Sequence, residues 1–191
     1  MLSVNLIFDR SSADIFEAED LMRRPWWEFS EEEKLKFLQG LRGCYDYTDL
    51  NRVETAVSEV SSRMLELPAK LDEAAAAAGV SWDRFSLPYD PQEAFLTTKN
   101  FWEATELLEN AERERYLSNI KYIRDSLTPE LPMPSDFDTF DWQAANNLEK
   151  ILFEADAALT AFEKKILSEI EEEATGFSIK SGEPYSGEVR V

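Results

Sequence analysis

Three apolar stripes recur at helical spacing and confine this chain to a helix-on-helix architecture. Leu50, Val53, Val57, Val60, Met64 and Leu67 step by three and four. Tyr116, Ile120, Ile123 and Leu127 do the same, as do Leu148, Leu152, Ala155, Leu159, Phe162 and Ile166. Each stripe gives a rod one greasy side that only another rod can cover. The last holds a near-heptad step over about three heptads, as in a coiled-coil seam. A seam inside the bundle accounts for it most simply, with self-association as the alternative. The expectation is a mainly α fold: a helical bundle of four to five helices with short extended or β segments at the N- and C-termini.

Start and stop signals set the boundaries. Ser11 or Ser12 caps a helix over about 12–23, with Ile15, Ala18 and Met22 on one face, and Pro25 stops it. Ser30 and Glu33 have capping-box spacing, Leu35, Leu38 and Leu41 follow at helical steps, and Gly40 and Gly43 mark a turn. Pro68 is expected to break or kink the third helix, before a short Ala74–Ala78 helix closed by Gly79. Further helices are expected over about 109–127 and 141–174, around a loop holding Pro129, Pro132 and Pro134. Residues 80–108 carry Trp82, Phe85, Leu87, Tyr89, Phe95 and Phe101 without a clean period. They read as a packed irregular segment with a small hairpin near 85–97.

The ends read as extended. Leu2, Val4, Leu6 and Phe8 alternate with polar residues as in a short strand. Phe177 and Ile179 alternate likewise, before two turns, Ser181-Gly182-Glu183 and Ser186-Gly187-Glu188. This divides the chain into an N-terminal strand (1–10), a helical domain (11–175) and a C-terminal extended tail (176–191). The tail either pairs with the strand at 2–8 or adds itself to another chain's sheet.

Charge removes several function classes. There are 39 acidic and 20 basic side chains, a net charge of −19. Nucleic acid needs a basic footprint, and an anionic membrane would repel this surface. Hydrophobic residues at 43% and aromatics at 12% still supply a core. The chain has no histidine and one cysteine, Cys44, so an internal disulfide and an imidazole-based triad are both ruled out. Cys44 reads as a small buried or half-buried apolar group. No cofactor or metal is expected. The carboxylates at Glu169 and Glu171 to Glu173 lack calcium-loop spacing and read as a solvated helix end. No signal peptide or membrane span is expected. The product is expected to act in the cytoplasm where it is made, or in a particle assembled there.

One pattern occurs twice. Tyr45-Asp46-Tyr47 is followed by Asn51 and Glu54, and Phe140-Asp141-Trp142 by Asn146 and Glu149. Each Asp suits a helix cap, with its aromatic neighbour packing back on the first turn. Each Asn then sits one turn in, beside the apolar stripe, and must find partners in a neighbouring loop's backbone. Asn119 is placed to do the same in the fourth helix. These residues, with Arg52, read as staples fixing helix register, and a ligand site built from them is the alternative. Trp26 and Trp27 suit either a sugar-stacking platform or a plug at the base of a bundle.

Several segments resemble, in order along nearly the whole chain, a family of tail-module proteins of Firmicutes phages and prophages. Gly43-Cys44-Tyr45-Asp46-Tyr47-Thr48-Asp49-Leu50-Asn51-Arg52-Val53 is similar to its Gly-x-Tyr-Asn-x-x-Asp-Leu-Asn-Arg-Val run, with Asp46 in place of Asn. Asp9-Arg10-Ser11-Ser12-Ala13-Asp14, Thr98-Lys99 with Trp102, Tyr116-Leu117-Ser118-Asn119-Ile120 and Ala144 to Leu152 match further motifs, as do the closing Ser-Gly-Glu units. Glu103 to Leu108 lacks the family's Asp-x-Pro-Thr turn. The resemblance implies a non-enzymatic virion protein of the tail or baseplate, contacting other tail proteins or itself, with Trp26, Trp27, Phe177, Ile179 and Tyr185 as candidate contacts. Two rival expectations are a receptor- or glycan-binding tail protein using Trp26, Trp27 and Trp102, and a cytoplasmic acidic regulator that sequesters a basic partner.

Overall fold

The computed structural model describes residues 1–99 and 101–176. The expectations for Phe177, Ile179, Tyr185 and the two Ser-Gly-Glu turns therefore lie outside the described residues. The chain is mainly helical: α1 (Ser12–Arg23), α2 (Glu31–Gln39), α3 (Tyr47–Ala78), α4 (Asn110–Leu127) and α5 (Trp142–Thr175). Single 3-10 turns cover Trp26–Glu28 and Arg84–Ser86. None of the described helices is long and apolar enough to cross a membrane.

The helices begin where their caps dictate. Ser30 accepts from the Glu33 amide at 3.2 Å, and the Glu33 carboxylate accepts from the Ser30 amide at 2.7 Å. Asp46 accepts from the Thr48 amide at 2.7 Å, and Asp141 from the Ala144 amide at 2.8 Å. Gly79 ends α3 in the left-handed region at φ 71°. Pro68, expected to interrupt α3, lies inside a continuous 32-residue helix. A proline there costs about 3 kcal/mol. Met64, Leu67 and Leu71 stay buried on either side of it, and each such side chain contributes about 1.5–3 kcal/mol, so packing wins.

α3, α4 and α5 pack as a parallel three-helix core. Arg52–Glu149, Arg63–Asp156 and Lys70–Glu163 climb α3 and α5 together. Glu54 meets Arg115 on α4. Val53, Val57, Val60, Met64, Ile120, Ile123, Leu148, Leu152 and Leu159 fill the centre. The apolar stripe of α5 therefore forms a seam within the bundle.

Parallel helices require long return connections, and extended straps make them. Residues 94–99 and 101–102 run back between α3 and α4, where Ser61 donates to the Ala94 carbonyl and Asn119 to that of Thr97. Residues 2–10 lie along α3 and α5. No strand forms among the described residues, which corrects the strand at 2–8 and the hairpin near 85–97. The alternation in the first segment has another cause. Leu2, Val4 and Leu6 pack against the core, while side chains rather than a partner strand satisfy the backbone. The Ser3 amide donates to Glu59 at 2.8 Å, and Phe8 stacks on Phe153 at 5.2 Å.

α1 and α2 form a hairpin beside the start of α3. α1 buries Ala18 and Leu21 and leaves Met22 59% exposed, so its inner face is turned towards Leu21 from the expected Ile15–Ala18–Met22 line. The turn into α3 meets α1 through Gly43. A Cβ at Gly43 would lie 2.1 Å from the Asp14 carbonyl oxygen and 2.8 Å from Ala18 Cβ. Backbone cannot yield as a side-chain tip can. Gly43→Ala is expected to lower unfolding stability by about 1–3 kcal/mol in urea titrations. An unchanged midpoint would contradict this close approach.

Candidate functional site

The two copies of the repeated pattern fold alike. Asn51 Oδ1 accepts from the Trp102 amide at 2.7 Å, and its Nδ2 donates to the Trp102 carbonyl at 2.9 Å. Asn146 does the same with Arg10: its Oδ1 accepts from the Arg10 amide at 3.0 Å and its Nδ2 donates to the Arg10 carbonyl at 2.9 Å. Each asparagine thus pairs with both polar groups of one residue in a passing strap, as a neighbouring strand would. Asn119 makes a single bond of this kind, to the Thr97 carbonyl at 2.9 Å. Tyr45 and Phe140, the leading aromatics of the two copies, meet edge-on at 4.9 Å.

The glutamate of each copy is sealed inside. Glu149 is fully buried and accepts four bonds. Arg52 approaches it through Nε at 2.9 Å and a terminal nitrogen at 2.7 Å, Arg10 at 2.8 Å, and the Ile7 amide at 2.5 Å. Asp49 completes the cluster, accepting from Arg10 at 2.6 Å, from Arg52, and from the Asp46 amide at 3.1 Å. Two guanidiniums and two carboxylates make a neutral group inside the protein. The Glu149 and Asp49 carboxylates hold the Arg52 guanidinium above its usual range, against the opposing effect of burial. Glu54 forms the second cluster. It pairs through both oxygens with Arg115, which also donates to the Thr97 carbonyl at 2.9 Å. The Glu54 bond raises the Arg115 pKa. Tyr45 and Tyr116 share a hydroxyl–hydroxyl bond, and burial pushes both phenols well above their ordinary value.

The remaining sequence candidates fall elsewhere. Asp46 and Asp141 are helix caps. Trp142 lines a hollow of about 110 Å³ with Ile15, Arg42, Cys44 and Phe140, under the α2–α3 turn. Cys44 is half-buried there, and burial raises its thiol pKa. Trp26 and Trp27 do not plug the bundle. Trp26 packs against Phe29 and Phe37 at 5.4 and 5.8 Å, and Trp27 is 81% exposed. Trp102 is 3% exposed and far from a free platform, with the Lys99 ammonium 3.8 Å over its ring.

Arg10 and Asp49 were legible only as members of motifs, without roles. Asp49 carried one signal, its capping-box distance from Asp46. Arg10 and Arg115 carried none, because nothing local tells a buried arginine from a solvated one. Open grooves of about 660 and 680 Å³ lie against α4 and α3, and neither is lined by the asparagines or by Glu149. Among the described residues no group of three or more Cys, Asp or Glu converges as metal ligands would. Chemically, buried carboxylates bonded to arginines and to backbone amides hold chain segments in place. No family model, curated protein or solved structure matches this chain.

Asn51→Ala leaves the Trp102 amide and carbonyl without their partner. A loss of about 1–3 kcal/mol in unfolding stability is expected, read from urea denaturation at unchanged slope. A variant as stable as the parent would remove the clamp from the account.

Proposed function

We propose that this chain is a non-enzymatic structural subunit of the tail or baseplate of a phage or phage tail-like particle, acting as a scaffold or adaptor between neighbouring proteins. One observation carries the reading beyond the ordered family motifs. The bundle is pinned from within, yet large apolar side chains stand in solvent at places far apart in the chain. Trp27 is 81% exposed, Phe95 75%, Phe101 84% and Leu107 85%. Apolar groups of this size and number suit a surface that other subunits complete. The net charge of −19 keeps such a surface soluble before assembly. The partners in this reading are other tail or baseplate proteins, and the location is the virion, after assembly in the bacterial cytoplasm.

The glycan-binding rival loses one of its three tryptophans, because Trp102 lies inside the protein. The acidic-regulator rival keeps the charge argument and differs in where the protein would be found. Mass spectrometry of purified particles from the producing strain separates them. A structural subunit is expected in fixed stoichiometry with the tail proteins. Its absence from particles, with a free monomer in the lysate, would overturn the proposal in favour of a regulator.

A further inference from the structure

Residues 11–44, which hold α1 and α2, leave the bundle and return to the point they left. Just before them, Arg10 is clamped to Asn146, its amide donating at 3.0 Å and its carbonyl accepting at 2.9 Å. Just after them, Tyr45 shares a hydroxyl bond with Tyr116 and meets Phe140 at 4.9 Å. The two anchors touch, with the Arg10 guanidinium 5.7 Å from the centre of the Tyr45 ring. What lies between them has an interior of its own. The buried apolar groups of α3, α4 and α5 join in one core, and Ala18, Leu21 and Phe29, the buried apolar residues of 11–44, lie outside it. Trp26, Phe29 and Phe37 pack on one another at 5.4 to 5.8 Å. The ion pairs Arg24–Glu33 and Lys36–Glu17 stitch α1 to α2. Among the described residues, the ion pair that crosses to the rest of the chain, Arg42–Asp9, is exposed at both ends and holds weakly.

We propose that residues 11–44 form a cover that opens as one body while the bundle stays folded, and that opening bares the hollow at the start of α5. A unit whose ends meet and whose interior is separate can open without drawing the core with it. Its seat on the bundle is small. Ile15 of α1 and Arg42, Gly43 and Cys44 of the turn line the hollow from the cover, and Phe140, Trp142 and Ala145 line it from the bundle. The bare Gly43 lies against Asp14 and Ala18 of α1, so the turn travels with the cover and Tyr45 is the hinge. Closed, the cover leaves Ala145 2% exposed and Cys44 half-buried. Open, it presents Phe140, Trp142 and Ala145 to solvent beside the thiol. The opening is a property of this chain alone and stands apart from the scaffold reading.

Native-state hydrogen exchange of the full chain in low urea tests this. The amides of Ala18 and Leu21 in α1 and of Phe37 in α2 are expected to share one shallow urea dependence and to exchange about a hundredfold or more faster than those of Val57 and Leu152. The Arg10 amide marks the boundary and stays with the slow group. Leu21→Asp places a charge where the cover is sealed and is expected to open residues 11–44 alone. Cys44, the single cysteine of the chain, then reacts with Ellman's reagent about tenfold or more faster than in the parent, while Val57 and Leu152 remain slow. Exchange in α1 as slow and as steep in urea as in α3 would overturn the inference, and this reading of the parent decides the matter even if the variant fails to fold. So would loss of protection throughout α3 and α5 in Leu21→Asp, since the cover and the bundle would then be one unit. An unchanged Cys44 rate in a variant whose α1 has opened would show that the cover does not close the hollow.

Discussion

The Glu149 carboxylate is where three separate parts of the chain are forced to agree. It belongs to α5, takes both arms of Arg52 from α3, and takes Arg10 and the Ile7 amide from the first strap. Removing such ions from water costs several kcal/mol each, so the cluster adds little net stability over well-packed apolar groups. What it adds is selection. Any arrangement that strands one of these charges costs about 3–5 kcal/mol. A slip of α5 along α3, or a misplaced first strap, would do that. Parallel helices with smooth apolar stripes could slide, and the cluster fixes the one register in which all four charges are neutralised.

The asparagine clamps extend the same logic to the backbone. An extended strap with no sheet partner must satisfy its amides and carbonyls elsewhere. Asn51 and Asn146 offer one acceptor and one donor at strand-like spacing, and each fixes one residue of a strap. Because the pattern occurs twice, α3 with its strap and α5 with its strap are variants of one unit. The exposed side chains of Leu35, Leu38, Phe95, Phe101 and Leu107 lie outside this locked interior.

Much of this was legible in the sequence. The apolar stripes and capping residues located α1, α4 and α5 and the start of α2 to within a residue or two, because period and caps are local properties, whereas α3, expected to break at Pro68, runs unbroken to Ala78. The doubled Asp–Asn–Glu pattern marked the positions of the clamps, since an amide beside an apolar stripe needs partners wherever they come from. Other features depended on long-range facts. Pro68 stays helical because Met64, Leu67 and Leu71 on either side of it are buried in the core. Leu2, Val4 and Leu6 alternate as a strand does because a groove between helices also has two sides. Leu35 and Leu38 have the spacing of a buried face, and nothing in nine residues says that Phe37 would be the group that packs on Trp26 and Phe29. Arg10, 139 residues before Glu149, could be paired with it only in three dimensions.

Hydrogen exchange at three amides tests the central claim most directly. Ile7, Arg10 and Trp102 lie in non-helical straps, and their amides donate to the helix side chains Glu149, Asn146 and Asn51. If the clusters and clamps hold the straps to the bundle, these amides exchange as slowly as those of the helix interiors, opening only with global unfolding. Exchange at the rate of free loop amides, with the helices still protected, would mean that the straps are loose and that the buried clusters do not set the register of the fold.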